Sequence, residues 1–75
     1  MKEITCTITR QLAVLSEKDN GYSKQVNMVS WNGKDAKLDI RDWSPDGKSM
    51  KGVTLNDEEA TKLYEVLVKI YGKAE

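Results

Sequence analysis

The sequence predicts an α+β domain: a four-stranded antiparallel sheet followed by one C-terminal helix, in the order β-β-β-β-α, as a single domain over residues 1–75. Three observations predict it. Apolar and β-branched residues alternate with polar ones from Ile4 onward. Gly-containing turn signals separate the alternating runs at Asp19-Asn20-Gly21, Asn32-Gly33 and Asp46-Gly47. Asn56, with Glu59 three residues later, opens the one stretch in which apolar residues recur at helical spacing.

In the first strand Ile4, Cys6, Ile8, Leu12 and Val14 fall on one parity, and Thr5, Thr7, Thr9 and Gln11 on the other. Arg10 interrupts the apolar parity while Ala13 and Leu15 add apolar residues to the other, so one bulge near the middle, with a change of face, is expected. Cys6 reads most simply as a small core residue, with a reactive thiol as the alternative. Tyr22 to Trp31 forms a second strand whose register stays open, because both parities are mixed. Asn32-Gly33 supplies the positive φ values of a tight hairpin. In the third strand Leu38 and Ile40 share one face, and Lys37, Asp39, Arg41 and Trp43 share the other, which is expected to point away from the main core.

Ser44-Pro45-Asp46-Gly47 is the next turn, and Met50 to Leu55 a short fourth strand with Val53 and Leu55 in phase. The helix starts after Asn56 with Asp57, Glu58 and Glu59 at the positive end of its dipole. Ala60, Leu63, Leu67 and Ile70 form its stripe, Tyr64 and Tyr71 flank it, and Gly72 is the C-cap. Val66 and Val68 widen that stripe beyond what one small sheet needs. A chain of 75 residues buries only about 60% of its unfolded surface. Both points predict a homodimer, with Leu63, Val66, Leu67 and Ile70 at the interface; a wide core stripe is the alternative.

Composition removes most enzyme classes. Without histidine and with one cysteine there is no Ser-His-Asp or Cys-His triad, no Cys/His zinc site and no internal disulfide. No phosphate-cradling Gly-rich loop or Asp-rich calcium loop occurs, and the acidic residues near turns are of the solvated or capping kind. No enzymatic activity, metal or cofactor is expected. Met1-Lys2-Glu3-Ile4 is not followed by an apolar run, so neither a signal peptide nor a membrane contact is expected, and the location is cytoplasmic, or nucleoid-associated in a bacterium. Twelve basic and twelve acidic residues cancel, but their distribution is uneven: cations outnumber anions between residues 22 and 54, and anions outnumber cations beyond.

The constellation with chemical content is Lys37-x-Asp39-x-Arg41-x-Trp43, next to a strand ending in Trp31. Alternate residues on one strand face recur about 6.6 to 7 Å apart, roughly the phosphate spacing of an extended nucleic acid strand, and an indole offers a stacking surface to any base. A duplex hides its base faces, so the pattern suits single strands. The competing reading is that Arg41 pairs with Asp39 or Asp42 and Trp43 covers a sheet edge.

The stretch from Val29 to Gly47, followed by Met50-Lys51-Gly52-Val53-Thr54-Leu55-Asn56, resembles the core of the positive cofactor 4 family of transcriptional coactivators, in particular its small bacterial YdbC-type branch. The resemblance rests on Asp39-Ile40-Arg41 before an acidic residue and an indole, the Asp46-Gly47 turn, and Gly52-Val53-Thr54-Leu55-Asn56 running into an acidic helix start. It extends upstream through Leu12 to Glu17. It implies a homodimer that holds single-stranded DNA on a curved sheet, with Arg41 as a backbone-contacting cation and Trp43 as a stacking aromatic. The family's longer members place that aromatic one residue further on. Trp31 corresponds approximately to the hairpin aromatic, with core burial as the alternative; Lys24, Lys37, Lys48 and Lys51 are added from parity and charge. The expected activity is single-stranded DNA binding with little sequence preference, in transcription regulation or in replication and repair. Single-stranded RNA, or a transcription or repair protein docked on the sheet, are the alternatives.

Overall fold

The structure, a computed structural model, describes residues 5–72. Four strands, β1 (Cys6–Glu17), β2 (Ser23–Trp31), β3 (Lys37–Trp43) and β4 (Ser49–Leu55), precede one helix, α1 (Asp57–Tyr71). Each strand pairs antiparallel with its neighbour in the chain, giving the sheet order β1-β2-β3-β4. Fold class and element order are those the sequence predicts.

The connections are built by the residues that announce them. Asn32 and Gly33 take φ values of 54° and 76°, as a type I′ hairpin requires, and the Lys34 N–H donates to the Trp31 carbonyl at 3.0 Å. Asn32 also ties this hairpin to the start of β1, since its side-chain oxygen accepts the Thr5 N–H at 3.0 Å. At the opposite end of the sheet the two remaining turns touch: a Cβ on Gly21, whose φ is 90°, would stand 2.9 Å from Pro45 Cγ.

In β1 the single bulge expected from sequence is corrected to three. The register against β2 shifts between Ile8 and Arg10, Gln11 and Ala13, and Val14 and Ser16. Each shift leaves one extra residue, Thr9, Leu12 or Leu15, without a counterpart, so Ile8, Gln11, Val14 and Glu17 return to one face every third residue. Bulges bend and coil a strand, and a chain alternating with period two cannot signal three resets of its own parity. Leu12 therefore does not share a ladder position with Val14 as the simple alternation suggests.

The side on which the core lies is also a correction. Directly paired residues share a face, so the register groups Gln25, Asn27 and Val29 of β2 with Arg41, Asp39 and Lys37 of β3. This is the face expected to point away from the core, yet Asn27, Val29 and Asp39 are fully buried and Trp43 is 6% exposed, while Leu38 and Ile40 on the other face are only half-buried. Curvature is the cause. Arg41 pairs with Gln25, six residues along β2 from Trp31 and roughly 20 Å away in a flat sheet, yet its guanidinium carbon lies 4.9 Å from the Trp31 ring centroid. The sheet curls so that these two side chains meet over the concave face and roof the residues between them.

The α1 N-terminus carries the predicted capping box: Asn56 Oδ1 accepts the Glu59 N–H at 2.8 Å and Glu59 Oε1 accepts the Asn56 N–H at 2.9 Å. Gly72 caps the C-terminus in an extended rather than left-handed conformation, its N–H donating to the Val68 carbonyl. α1 touches β3 and β4, but only its first two turns are partly covered, at Ala60 and Leu63. Among the described residues no helix is long and apolar enough to cross a membrane.

Candidate nucleic-acid interface

Asp39 organises the concave face. Placed mid-strand by the alternation of β3, its carboxylate is fully buried and accepts from Arg41 Nε at 3.0 Å, Arg41 Nη2 at 3.0 Å and Thr54 Oγ1 at 2.7 Å. Thr54 is the residue paired with Asp39 across β4, so the hydroxyl arrives by register. Arg41 adds a fourth tie, Nη1 to the Met50 carbonyl at 2.8 Å, and only 14% of its side chain is exposed. Gly52, paired with Arg41, makes this possible: a Cβ there would stand 2.5 Å from the Ile40 carbonyl oxygen and 2.6 Å from Arg41 Cα.

Beside the acid, Asn27 donates to Gln25 Oε1 at 3.2 Å, and Gln25 donates to Ser23 Oγ at 2.8 Å, a polar row running along β2. The buried Asn27 Oδ1 and the indole N–H groups of Trp31 and Trp43 have no partner among the described residues. Trp31 is half-buried, one side of its ring taken by the guanidinium. Lys37 stands exposed at the start of β3 on this same face, paired with Val29.

The predicted site residues therefore divide. Trp31 and Arg41 come together on the concave face, and Lys37 shares that face. Trp43 shares that face but is buried, so the expectation of an exposed indole is corrected: it sits between β2 and β4, paired with Ser23 and Ser49, and is only 6% exposed. Lys24 pairs with Asp42 on the opposite face. There it joins Lys51 at the rim of a shallow open depression of about 280 Å³, floored by Ile40 and Val53. Lys48 lies in the turn between β3 and β4, its Nζ 4.0 Å from an Asp46 carboxylate oxygen, and both side chains are mostly in solvent. In that turn Ser44 hydrogen-bonds Asp46 and holds its carboxyl below the usual carboxylate range, with Lys48 helping by charge.

Sequence reasoning offered the Arg41–Asp39 pair as a competing reading and missed Thr54, Gly52 and Asn27. The spacing Asp39-x-Arg41 carries the signal for the pair; Thr54 and Asn27 become visible only once the register is known.

A family model for Transcriptional Coactivator p15 (PC4) matches residues 18–66, which takes in β2, β3, β4 and most of α1. A protein of Treponema pallidum (strain Nichols), described as uncharacterized, is 46% identical over 61 residues, covering 80% of this chain and 72% of that one. The Asp39–Arg41 strand, the Asp46-Gly47 turn and the capped start of α1 all lie within the matched region, and the chain belongs to the transcriptional coactivator p15 (PC4) family.

Proposed function

We propose that this protein binds single-stranded DNA with little sequence preference, as a homodimer, in transcription regulation or in replication and repair. The observation that carries the reading is the meeting of Trp31 and Arg41, with Lys37 exposed on the same concave face, in a curved sheet of a chain of this family. A base stacks on the part of Trp31 left open, at roughly 1 to 3 kcal/mol. Lys37 neutralises a phosphate and releases counterions. Lys24 and Lys51 on the other face, and Lys48 at the turn, extend the cationic surface that draws a strand in. The net charge of zero leaves the affinity moderate and steeply salt-dependent.

The homodimer forms through α1. In support, α1 contains no buried residue; Val66, Leu67 and Ile70 are exposed and Leu63 is half-buried. The radius of gyration is 14.1 Å, against roughly 11 Å for a compact chain of this length. An unshielded apolar stripe on a projecting helix is the surface a second copy would cover.

The test is fluorescence anisotropy of a labelled ~20-nucleotide DNA strand, with the same sequence as duplex and as RNA, at two salt concentrations. Saturable, salt-sensitive binding that prefers the DNA strand is expected. A stronger grip on RNA would transfer the reading to RNA, and no binding at low salt would leave a protein partner as the function.

A further inference from the structure

We propose that Arg41 acts as a positioning residue, a neutralised plate that holds the Trp31 ring for stacking, rather than as a cation that contacts phosphate. The inference rests on the single-stranded binding proposed above and assigns Arg41 a different role from the one the family resemblance implies.

Charge comes first. Arg41 faces Asp39 at 3.0 Å, and that carboxylate is fully buried with no solvent to screen it. A phosphate approaching the guanidinium meets a pair of zero net charge, so its attraction is that of a dipole, and no condensed counterion has to leave on Arg41's account. Geometry agrees. Three of the five guanidinium N–H groups are spent, on both Asp39 oxygens and the Met50 carbonyl, which fixes the plane of the group along β3 and β4. The group so held has its central carbon over the Trp31 ring, 4.9 Å from the centroid. Trp31 closes β2 at the hairpin, and the only ionic group over its ring is this one, among the described residues. A cation stacked on an indole attracts the ring, so the ring orientation is set from β3 and β4 through Arg41.

Lysine cannot take this place. It keeps the charge but lacks the planar fork that binds Asp39 at two atoms and so cannot be held at a fixed place over the indole. The two roles therefore give opposite results in Arg41→Lys, which a phosphate contact tolerates and a plate does not.

The experiment measures log K for a single strand against log salt concentration, for wild type, Lys37→Gln, Arg41→Lys and the double variant Asp39→Asn/Arg41→Gln, which leaves no unpaired buried charge. Acrylamide quenching of tryptophan emission is read in parallel on the DNA-free proteins, where Trp43 is buried and Trp31 carries the change. Lys37→Gln is expected to flatten the slope by about 0.7. Both Arg41 variants are expected to keep the wild-type slope, lose roughly tenfold in affinity through misplaced stacking, and increase quenching. A slope flattened by about 0.7 in the double variant and restored by Arg41→Lys would overturn the proposal. Should wild type bind no strand, the functional reading fails and quenching alone decides: a rise in Arg41→Lys supports the plate, and unchanged quenching refutes it.

Discussion

In the Ser44–Lys48 turn, Ser44 Oγ accepts the Lys48 N–H at 2.9 Å while its hydroxyl donates to the Asp46 carboxylate. Stabilising the charged carboxylate lowers the Asp46 pKa from its ordinary 3.8. A group whose folded pKa is depressed adds stability above the unfolded value and loses it as pH falls through the folded one. Ser44→Ala is therefore expected to raise the Asp46 pKa back toward 3.8 and to remove a small acid-side dependence of stability below about pH 4. Carbon-detected NMR titration of the Asp46 carboxyl checks this, and an unchanged titration would refute it. The turn itself was legible residue by residue, because Pro, Asp and Gly have fixed local preferences. Trp43 immediately upstream was not, since local preferences say nothing about whether an indole faces solvent or a curled sheet.

At the scale of elements, the helix start is the feature most completely written in the sequence. Both arms of the Asn56/Glu59 box form, so Asn56→Ala, which leaves N-terminal N–H groups unpaired, is expected to cost about 1 kcal/mol. Urea unfolding followed by circular dichroism at fixed protein concentration measures it; a change below a few tenths would show that packing alone holds the helix. The hairpin at Asn32-Gly33 was equally readable, for both residues tolerate positive φ. β1 lies at the other extreme. Its three bulges follow from pairing with β2, and its exposed Ile8, Leu12, Val14 and Leu15 look in sequence like residues of an ordinary core strand.

The whole molecule measures 51 × 33 × 18 Å, extended for its size, and carries exposed apolar residues on both α1 and β1. If a second copy covers α1, Leu67→Glu is expected to halve the sedimenting mass from twice 8.5 kDa to one chain and to lower the unfolding midpoint, because a charge buried at an interface without a partner is strongly destabilising. Wild type sedimenting as a single chain at micromolar concentration would refute the dimer. The sequence by itself determined the element order, the turn conformations, the helix cap and the set Lys37, Asp39, Arg41 and Trp43 on one strand face, because each follows from backbone preferences and from the alternation of a strand. Only the tertiary structure decided which face is the core, that Arg41 meets Trp31 across it, and that Trp43 is enclosed while Lys24 and Lys51 stand on the far side. Those facts come from the curl of the sheet, which sums bulges, register and close strand approach over residues far apart in the chain, and no local pattern of residues contains that sum.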